Sequence, residues 1–362
     1  MALSWVSVNA VDGSIIADLP NLRVDGALKR TIGRNETQSA TLPLDKIPPN
    51  WRTATRKKAA FLVALDEGMG GEASVPVWGG LITERTTTHK EAVSLSLATA
   101  EDYLNDRFVG TKSFYNIPQN TIVRQLVETY VIPNGIPLRV VELGGANPVR
   151  TRVYSDQDDK SVYSALDELS GDIGGPEWTI TWEWVGAGLG LVLTVGARLG
   201  TPAPANLLPA AQFYLPGNLT DAKLIEGYRR GEGANDVMAT SSGTGGARPQ
   251  SSRKVNAVDG RPRVEFRWSP SSSITSISQL NGHADRALAA MSDGTVELSL
   301  TATRTAPPYL GRDWNLGDDI GFDLTSWAWP DGISGTARVV SIEITDTTIT
   351  PVLDVAGIGG IE

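Results

Sequence analysis

Glycine and proline interrupt this chain so often that little room remains for long helices. The 362 residues include 38 glycines and 21 prolines. Between these breaks, short runs alternate apolar and polar residues, as Val93, Leu95 and Leu97 do with the serines and alanines around them. An alternation of period two is typical of half-buried strands. The sequence therefore predicts a mainly β protein of short strands joined by tight turns.

The pattern changes twice along the chain, which predicts three domains. Residues 1–110 have strand and turn character throughout and are expected to form a small β-barrel. Residues 111–204 mix helical and strand periodicity and are expected to form an α+β accessory domain. Residues 205–362 return to strands and are expected to form a second barrel, with a helical insert at about 274–292. The expected fold class is thus mainly β with α+β parts.

Two helices are predicted in the accessory region. Residues 118–130 place apolar side chains at helical spacing. A second helix is expected to follow Asp158 and Asp159, whose carboxylates can cap its first amides. Gly171 lies where a left-handed residue would end that helix.

A tryptophan-rich hairpin is the most distinctive local pattern. Trp178, Trp182 and Trp184 share one face of a strictly alternating segment, which turns at Gly186 and returns through residues 189–195. Indoles bury large areas, so packing in the core or between subunits is one interpretation. A sugar-stacking surface that also uses Trp327 and Trp329 is the other. The three hairpin tryptophans are the candidate contact residues.

The sequence predicts no catalytic, cofactor-binding or metal site, and therefore no enzyme. Cysteine is absent, and only His89 and His283 could shuttle protons near neutral pH. Neither histidine belongs to a known catalytic spacing. The acidic stretches at 156–159 and 313–319 depart from the calcium-loop pattern and are better explained by caps and turns.

Charge argues against stable nucleic-acid binding. The formal net charge is −9, and the last fifty residues contain nine acidic residues and one arginine. Six basic residues lie between Arg248 and Arg267. Such runs are typical of solvated faces, and they also permit charge complementarity between subunits. No stretch has the length and hydropathy of a membrane span, so no stable membrane association is expected.

Several short motifs, in a fixed order, resemble one protein family. They are Trp78-Gly79-Gly80-Leu81-Ile82, Ala100-Glu101-Asp102-Tyr103-Leu104-Asn105-Asp106-Arg107, Tyr115-Asn116-Ile117-Pro118, Asp159-Lys160-Ser161-Val162-Tyr163-Ser164-Ala165-Leu166, Asn235-Asp236-Val237, and Leu316-Gly317-Asp318-Asp319-Ile320. In this order they resemble the hub subunit of phage tail tips and baseplates. The version concerned is the minor tail protein of actinobacterial siphophages.

The resemblance implies a structural virion protein that forms a homotrimer. Two barrels in each of three subunits would give six similar positions, so that a threefold ring could continue a sixfold tail tube. The implied partners are distal tail or tail-tube proteins, the tape-measure protein, and fibre or spike proteins beyond the hub. DNA would pass the channel only in transit. The implied location is the tail tip, after a period in the host cytoplasm before assembly.

Two other functions stay open at this point. The tryptophan-rich hairpin could belong to a carbohydrate-binding tail adhesin that recognises the host surface. A wall-degrading hydrolase is the third possibility, although no spacing of carboxylates singles out a catalytic pair.

Overall fold

The computed structural model describes residues 3–45, 47–67, 74–89, 91–172, 174–205, 207–243, 245–256, 260–270 and 274–355. These residues form two compact units. The first contains the described residues up to Ala222 and those of Leu300–Leu353, and the second contains Lys223–Ser299 and the described residues from Asp354. Strands predominate over helices, as the glycine and proline breaks predict.

In chain order the elements are β1 (Ser4–Asn9), β2 (Ile15–Asp18), β3 (Arg23–Val24), β4 (Leu28–Thr31), β5 (Thr37–Pro43), α1 (Trp51–Ala54), β6 (Ala60–Asp66), β7 (Val75–Thr87), β8 (Ala92–Thr99), a 3-10 helix (Ala100–Asp106), β9 (Lys112–Pro118), α2 (Gln119–Tyr130), β10 (Leu138–Glu142), β11 (Val149–Tyr154), a 3-10 turn (Asp156–Asp158), α3 (Val162–Ser170), β12 (Glu177–Val185), β13 (Gly188–Gly196), β14 (Gln212–Leu215), β15 (Leu219–Gly227), β16 (Asp236–Ala239), a 3-10 turn (Gly245–Ala247), β17 (Lys254–Val255), β18 (Glu265–Trp268), α4 (Ile277–Met291), β19 (Thr295–Thr303), β20 (Asp319–Leu324), β21 (Ile333–Ile344) and β22 (Thr348–Asp354).

The first sheet has seven strands in the order β2-β1-β6-β7-β8-β5-β3. Strand β6 lies inside this order, and its residues from Ala60 to Leu65 are all buried. Burial on both faces explains why β6 is apolar from Ala60 to Leu65, whereas β8 alternates. The period-two interpretation of Val93, Leu95 and Leu97 is confirmed, because these three side chains are buried and the serines between them are exposed.

The region after the first sheet supplies two helices, a two-stranded ribbon of β9 and β11, and the sheet β10-β13-β12. One continuous hydrophobic core runs from the first sheet into this region. Val8 and Phe61 of the sheet belong to the same core as Leu126 of α2 and Leu166 of α3. The predicted hairpin is confirmed, since Trp178 pairs with Val195 and the register continues to the end of the hairpin.

Both helices form where predicted, but the caps of the second one differ from expectation. The N-cap is Ser161, whose side chain accepts the Ser164 N–H, so the capping role expected of Asp158 and Asp159 was wrong. A short 3-10 turn instead takes up residues 156–158, and Asp159 follows it in the left-handed region. Gly171 has a φ of −70°, so the predicted left-handed ending was also wrong.

The second sheet follows the order β14-β20-β21-β22-β19-β15, and β4 also pairs with β21. Strand β14 is parallel to β20, while β20 and β21 are antiparallel. Gly317, with a φ of +96°, makes the predicted tight turn into β20. Strand β4 therefore joins the N-terminal part of the chain to the second sheet inside one compact unit.

The second unit packs α4 on the sheet β17-β16-β18. Leu280 and Ala284 of the helix are fully buried together with Val237 of β16. The helix was predicted from about residue 274. It begins at Ile277, because the Ser276 side chain caps it by accepting the Gln279 N–H. Among the described residues, none of the helices combines the length and the hydropathy of a bilayer-spanning segment.

Candidate functional site

The three hairpin tryptophans occupy progressively more exposed positions along β12. Trp178 is 1% exposed and packs edge-to-face on Tyr163, with 5.9 Å between the ring centroids. Trp182 is partly buried against Phe61, at 5.0 Å. Trp184 is 39% exposed, and its indole N–H donates to the Ser74 carbonyl at 2.7 Å. The three indoles thus run from the core at Trp178 to an exposed position at Trp184.

This gradient determines what the hairpin can contact. Trp178 is part of the hydrophobic core and has almost no surface to offer to a sugar or a neighbouring subunit. Trp184 and Val185, which is 57% exposed, form the accessible end. Gly79 of β7 fits directly under the Trp182 ring, since a Cβ there would lie 2.4 Å from the indole nitrogen. The absence of a side chain at Gly79 therefore allows the Trp182 ring to pack directly against β7.

A small polar pocket lies between the first sheet and the hairpin. Arg30, Glu101, Thr179 and Trp182 are among the residues that line it, and its internal volume is about 10 Å³. That space accommodates about one water molecule. It is far smaller than the sites that hold substrates or cofactors.

Glu101 is the chemically unusual group in this pocket. It is 6% exposed, and its carboxylate accepts the Ile180 N–H of β12 at 3.1 Å. Burial raises the pKa of Glu101, because removal from water disfavours the charged form, while the nearby Arg30 opposes that shift. The carboxylate thereby ties the 3-10 helix after β8 to the tryptophan hairpin.

A polar clamp fastens the base of the hairpin to the second sheet. Arg338 of β21 donates to both carboxylate oxygens of Glu177, with 2.6 Å for the Nη1 bond. The same carboxylate accepts the Leu199 N–H at 2.8 Å, and Arg338 donates to the Leu199 carbonyl at 3.0 Å. Partial burial raises the pKa of Glu177, but the bonds from Arg338 and Leu199 outweigh burial and place its pKa below the usual range.

The acidic turn before β20 completes this clamp. Asp318 accepts the Thr201 N–H at 2.6 Å, and Asp319 accepts the Ala203 N–H at 2.8 Å while pairing with Arg198. The incoming chain lies so close that a Cβ on Gly200 would fall 2.0 Å from the backbone of the turn. Both carboxylates therefore bind groups of this chain. This agrees with the interpretation of residues 313–319 as a turn.

The two histidines belong to different units of the chain. His89 is exposed beyond the end of β7, and His283 is partly exposed on α4 in the second unit. No group of three or more His, Cys, Asp or Glu side chains suited to a metal occurs among the described residues.

The second unit has its own buried ionic centre. The Asp236 side chain is 3% exposed and pairs with Arg253 and Arg263. The hydrogen bond from Arg253 lowers the pKa of Asp236, although partial burial opposes this shift. Asn235 holds the neighbouring segment, accepting the Val264 N–H at 2.8 Å. The Asn235-Asp236 motif therefore links β16 to β17 and β18.

Sequence reasoning gave Trp327 too little weight. Its side chain is fully exposed, at 103% of the reference area, in the turn between β20 and β21. Ser326 and Trp329 bond to each other's backbone across this turn, at 3.2 and 3.1 Å. In the sequence, the uncharged run of residues 324–330 around Trp327, between Asp323 and Asp331, is a signal that a count of tryptophans alone does not reveal.

Comparison with solved structures identifies the architecture. The chain superposes on the 43 kDa tail protein of prophage MuSo2 from Shewanella oneidensis with a TM-score of 0.60, covering 97% of this chain and 98% of that one at 14% identity. The tail protein from Neisseria meningitidis MC58 gives a TM-score of 0.59 at 13% identity, covering 98% and 97%. This chain has the fold of phage tail proteins.

A third neighbour, prophage tail protein gp18 from Listeria monocytogenes EGD-e, gives a TM-score of 0.52 at 9% identity, covering 97% of this chain and 94% of that one. No family profile and no curated protein sequence matches this chain. The likeness to tail proteins therefore lies in the arrangement of strands and helices.

Proposed function

We propose that this chain is a structural component of a phage virion, the homotrimeric hub that closes the tail tube at its tip. The observation that carries the proposal is the near-complete match to tail proteins, because 97% or more of both chains is covered in the Shewanella and Neisseria comparisons. A match of this extent includes both sheets and the region between them.

The two large sheets supply the repeated parts that such a hub needs. In the proposal, residues 1–110 and 205–362 form the two tube domains, and 111–204 form the accessory domain. Among the described residues the strand order of neither sheet closes into a barrel, so the two open sheets take the place of the barrels expected from the sequence, and three subunits would present six similar surfaces to a sixfold tube. The helical unit around α4 is an insertion in the second tube domain, since the chain leaves the first unit after Ala222 and returns at Leu300.

The chemistry of the described residues favours a structural role over catalysis. The partly buried Glu177 pairs with Arg338, and the buried Glu101 accepts the Ile180 N–H, so both carboxylates hold parts of the first unit together. The pocket beside Glu101 has a volume of about 10 Å³, which is room for about one water molecule. In this proposal the protein has no enzymatic activity and needs no cofactor.

The proposed partners follow from the position at the tail tip. The ring contacts tail-tube proteins on one side and fibre or spike proteins on the other, and it surrounds the tape-measure protein. Part of the acidic surplus lines the channel, where like charge keeps DNA from adhering during transit. The type of virion proposed is a siphophage.

The experiment that tests this proposal is electron cryomicroscopy of the particle that carries the chain. The expected result is three copies around the tail axis at the distal end of the tube. Density for this chain away from the axis would refute the hub, and density along the whole tube would make it a tube protein.

A carbohydrate-binding adhesin is the second candidate, favoured by the exposed indoles of Trp184 and Trp327. The purified chain would then bind host cell walls. Because Trp178 is buried, Trp184→Ala and Trp327→Ala are the informative variants, with Trp178 left unchanged. Binding that both variants retain would exclude indole stacking as its basis.

A further inference from the structure

The second unit differs in charge from the rest of the chain. Its main segment, Lys223–Ser299, contains ten basic and eight acidic residues, whereas the remaining sequence contains 22 basic and 33 acidic residues. The six basic residues from Arg248 to Arg267 all lie in this segment. One weakly basic segment therefore occurs in an otherwise strongly acidic chain, and an acidic partner would be attracted to it.

The small sheet of this unit has a face that points away from α4. Val237 of β16 is buried in the same core as Leu280 of α4. Successive side chains of a strand point to opposite faces, so Asp236 lies on the face away from the helix. In the parallel pairing of β16 with β18, Glu265 lies opposite Asp236, and Arg267 follows two residues later on the same face. The face away from α4 therefore carries charged side chains.

Ion pairs join the charged side chains of this face into one surface. Arg253 and Arg263 both donate to the Asp236 carboxylate, at 2.8 and 2.6 Å from their Nε atoms. Glu265 pairs with Arg263 at 2.5 Å and with Arg267 at 2.9 Å. Because each of these five residues contacts the next, they form a continuous surface, which we name the arginine face.

The arginine face has room for a further carboxylate. Its three guanidinium groups outnumber its two carboxylates, and the side chains of Arg253, Arg263 and Arg267 are 40%, 50% and 56% exposed. Among the described residues, the Arg267 side chain bonds to Glu265 alone. A guanidinium carries five N–H donors in a fork that matches a carboxylate. Arg267 can therefore bind a second carboxylate without releasing the first.

The long acidic run of the first unit leaves one group of carboxylates without ion pairs. Nine acidic residues lie in the run from Glu142 to Glu183. Six of them pair with an arginine or lysine of the same chain, namely Glu142, Asp167, Glu168, Asp172, Glu177 and Glu183. The other three, Asp156, Asp158 and Asp159, are exposed in or directly after the 3-10 turn that precedes α3, and they form no ion pair within the part of the chain that the structure describes. We name these three residues the acidic turn.

The charge balance favours a carboxylate-bearing partner for the arginine face over a nucleic acid. A nucleic acid is a long polyanion, and the remaining sequence, in which acidic residues outnumber basic ones by 33 to 22, would repel its phosphates. A second copy of the chain instead offers three carboxylates within four residues. In such a contact the acidic turn gains cationic partners that its own chain does not give it.

We propose that the arginine face of one copy binds the acidic turn of a second copy. The inference rests on the homotrimer of the proposed function and identifies a contact between its subunits. The two surfaces differ and belong to different units, so every copy offers one of each, and three head-to-tail contacts complete a closed ring. Exposed ion pairs contribute little affinity individually, so this contact chiefly selects the orientation of neighbouring copies.

The test reverses the charge on each surface separately and then on both. Arg267→Glu places a negative charge on the arginine face, and Asp158→Lys places a positive charge on the acidic turn. The matched controls are Arg286→Glu on α4 and Asp331→Lys before β21, since both residues are exposed and lack an ion pair among the described residues. Sedimentation velocity over a series of concentrations gives the dissociation constant of each chain, and circular dichroism verifies that each variant folds.

Each single reversal should raise the dissociation constant at least about tenfold, because like charges then face each other across the contact. The chain that carries both reversals should associate within about threefold of the unmodified chain, since opposite charges face each other again. Both controls should keep the unmodified value. Raising the salt concentration from about 0.1 to 1 M shortens the screening length from about 10 to 3 Å and should weaken the association of the unmodified chain.

Different failures separate this inference from the proposed function. A trimer that both single reversals leave unchanged refutes the contact and leaves the trimer intact, whereas a chain that stays monomeric at every concentration refutes both. Single reversals that weaken the trimer without recovery in the doubly reversed chain refute the pairing of these two surfaces. If the unmodified chain binds a duplex DNA fragment and Arg267→Glu abolishes that binding without affecting the trimer, the arginine face is a nucleic-acid site and the inference is overturned.

Discussion

Replacing Glu177 by glutamine should weaken the clamp between the hairpin and the second sheet without changing its shape. Glu177 accepts two hydrogen bonds from Arg338 and one from the Leu199 N–H, and its side chain is 28% exposed. A hydrogen bond to a charged group contributes about 1.5–3 kcal/mol. Glutamine keeps one acceptor but loses the negative charge that pairs with the Arg338 guanidinium, which is 20% exposed.

We therefore expect Glu177→Gln to lower the free energy of unfolding by about 2 kcal/mol at neutral pH, a value between those of exposed and fully buried pairs. The assay is urea denaturation followed by tryptophan fluorescence. Glu183→Gln is the matched control, because Glu183 lies on the same strand and pairs with Arg139 at 2.6 Å, and Arg139 is 57% exposed whereas Arg338 is 20% exposed. The control should unfold almost as the unmodified chain does.

The unmodified chain and the Glu177→Gln variant also test the direction of the pKa shift of Glu177. The folded-state pKa of Glu177 is lowered, so its contribution to stability is present above the unfolded value of about 4.3 and is lost as the pH falls through the folded value. The difference between the unmodified chain and Glu177→Gln should be full at pH 7 and shrink below about pH 4. Equal losses for Glu177→Gln and Glu183→Gln, or a difference that grows in acid, would refute the reasoning.

Three further predictions concern the pocket, the hairpin support and the second unit. Glu101→Gln should unfold at a higher urea concentration than Glu101→Ala, because glutamine can still accept the Ile180 N–H. Because the folded-state pKa of Glu101 is raised, the stability of Glu101→Gln relative to the unmodified chain should increase as the pH rises through that folded-state pKa. An increase on acidification would contradict this. Gly79→Ala should lower stability by about 1–3 kcal/mol, since its Cβ would overlap the Trp182 ring, and an unchanged denaturation midpoint would show that the ring can move. Asp236→Asn should speed amide hydrogen exchange in residues 236–239, and protection equal to that of the unmodified chain would show that the ionic centre is dispensable.

Local patterns predicted most of the individual elements. The tryptophan hairpin follows from strict alternation around Gly186, and α2 follows from apolar residues at helical spacing. The caps of α3 were predicted less well, because Ser161, Asp158 and Asp159 are all competent caps and only the path of the chain selects Ser161. Such choices depend on contacts that no short window of sequence contains.

The ion pairs and hydrogen bonds that hold distant segments together could not be predicted for the same reason. Glu177 and Arg338 are 161 residues apart in the chain, and the sequence gives no sign that they pair. The Leu316–Ile320 motif predicted a tight turn, yet its carboxylates also hold residues 201 and 203, which requires the tertiary fold. For the tryptophans, spacing predicted a shared face, whereas the gradient from buried Trp178 to exposed Trp184 depends on tertiary partners such as Tyr163 of α3 and Phe61 of β6.

The central claim, a homotrimeric tail hub, is tested most directly by the mass of the purified chain in solution, measured by light scattering after size exclusion. One chain has a mass of 38.6 kDa. The account predicts a species of about 116 kDa, three times that mass. A mass of 38.6 kDa that persists at every concentration would contradict it.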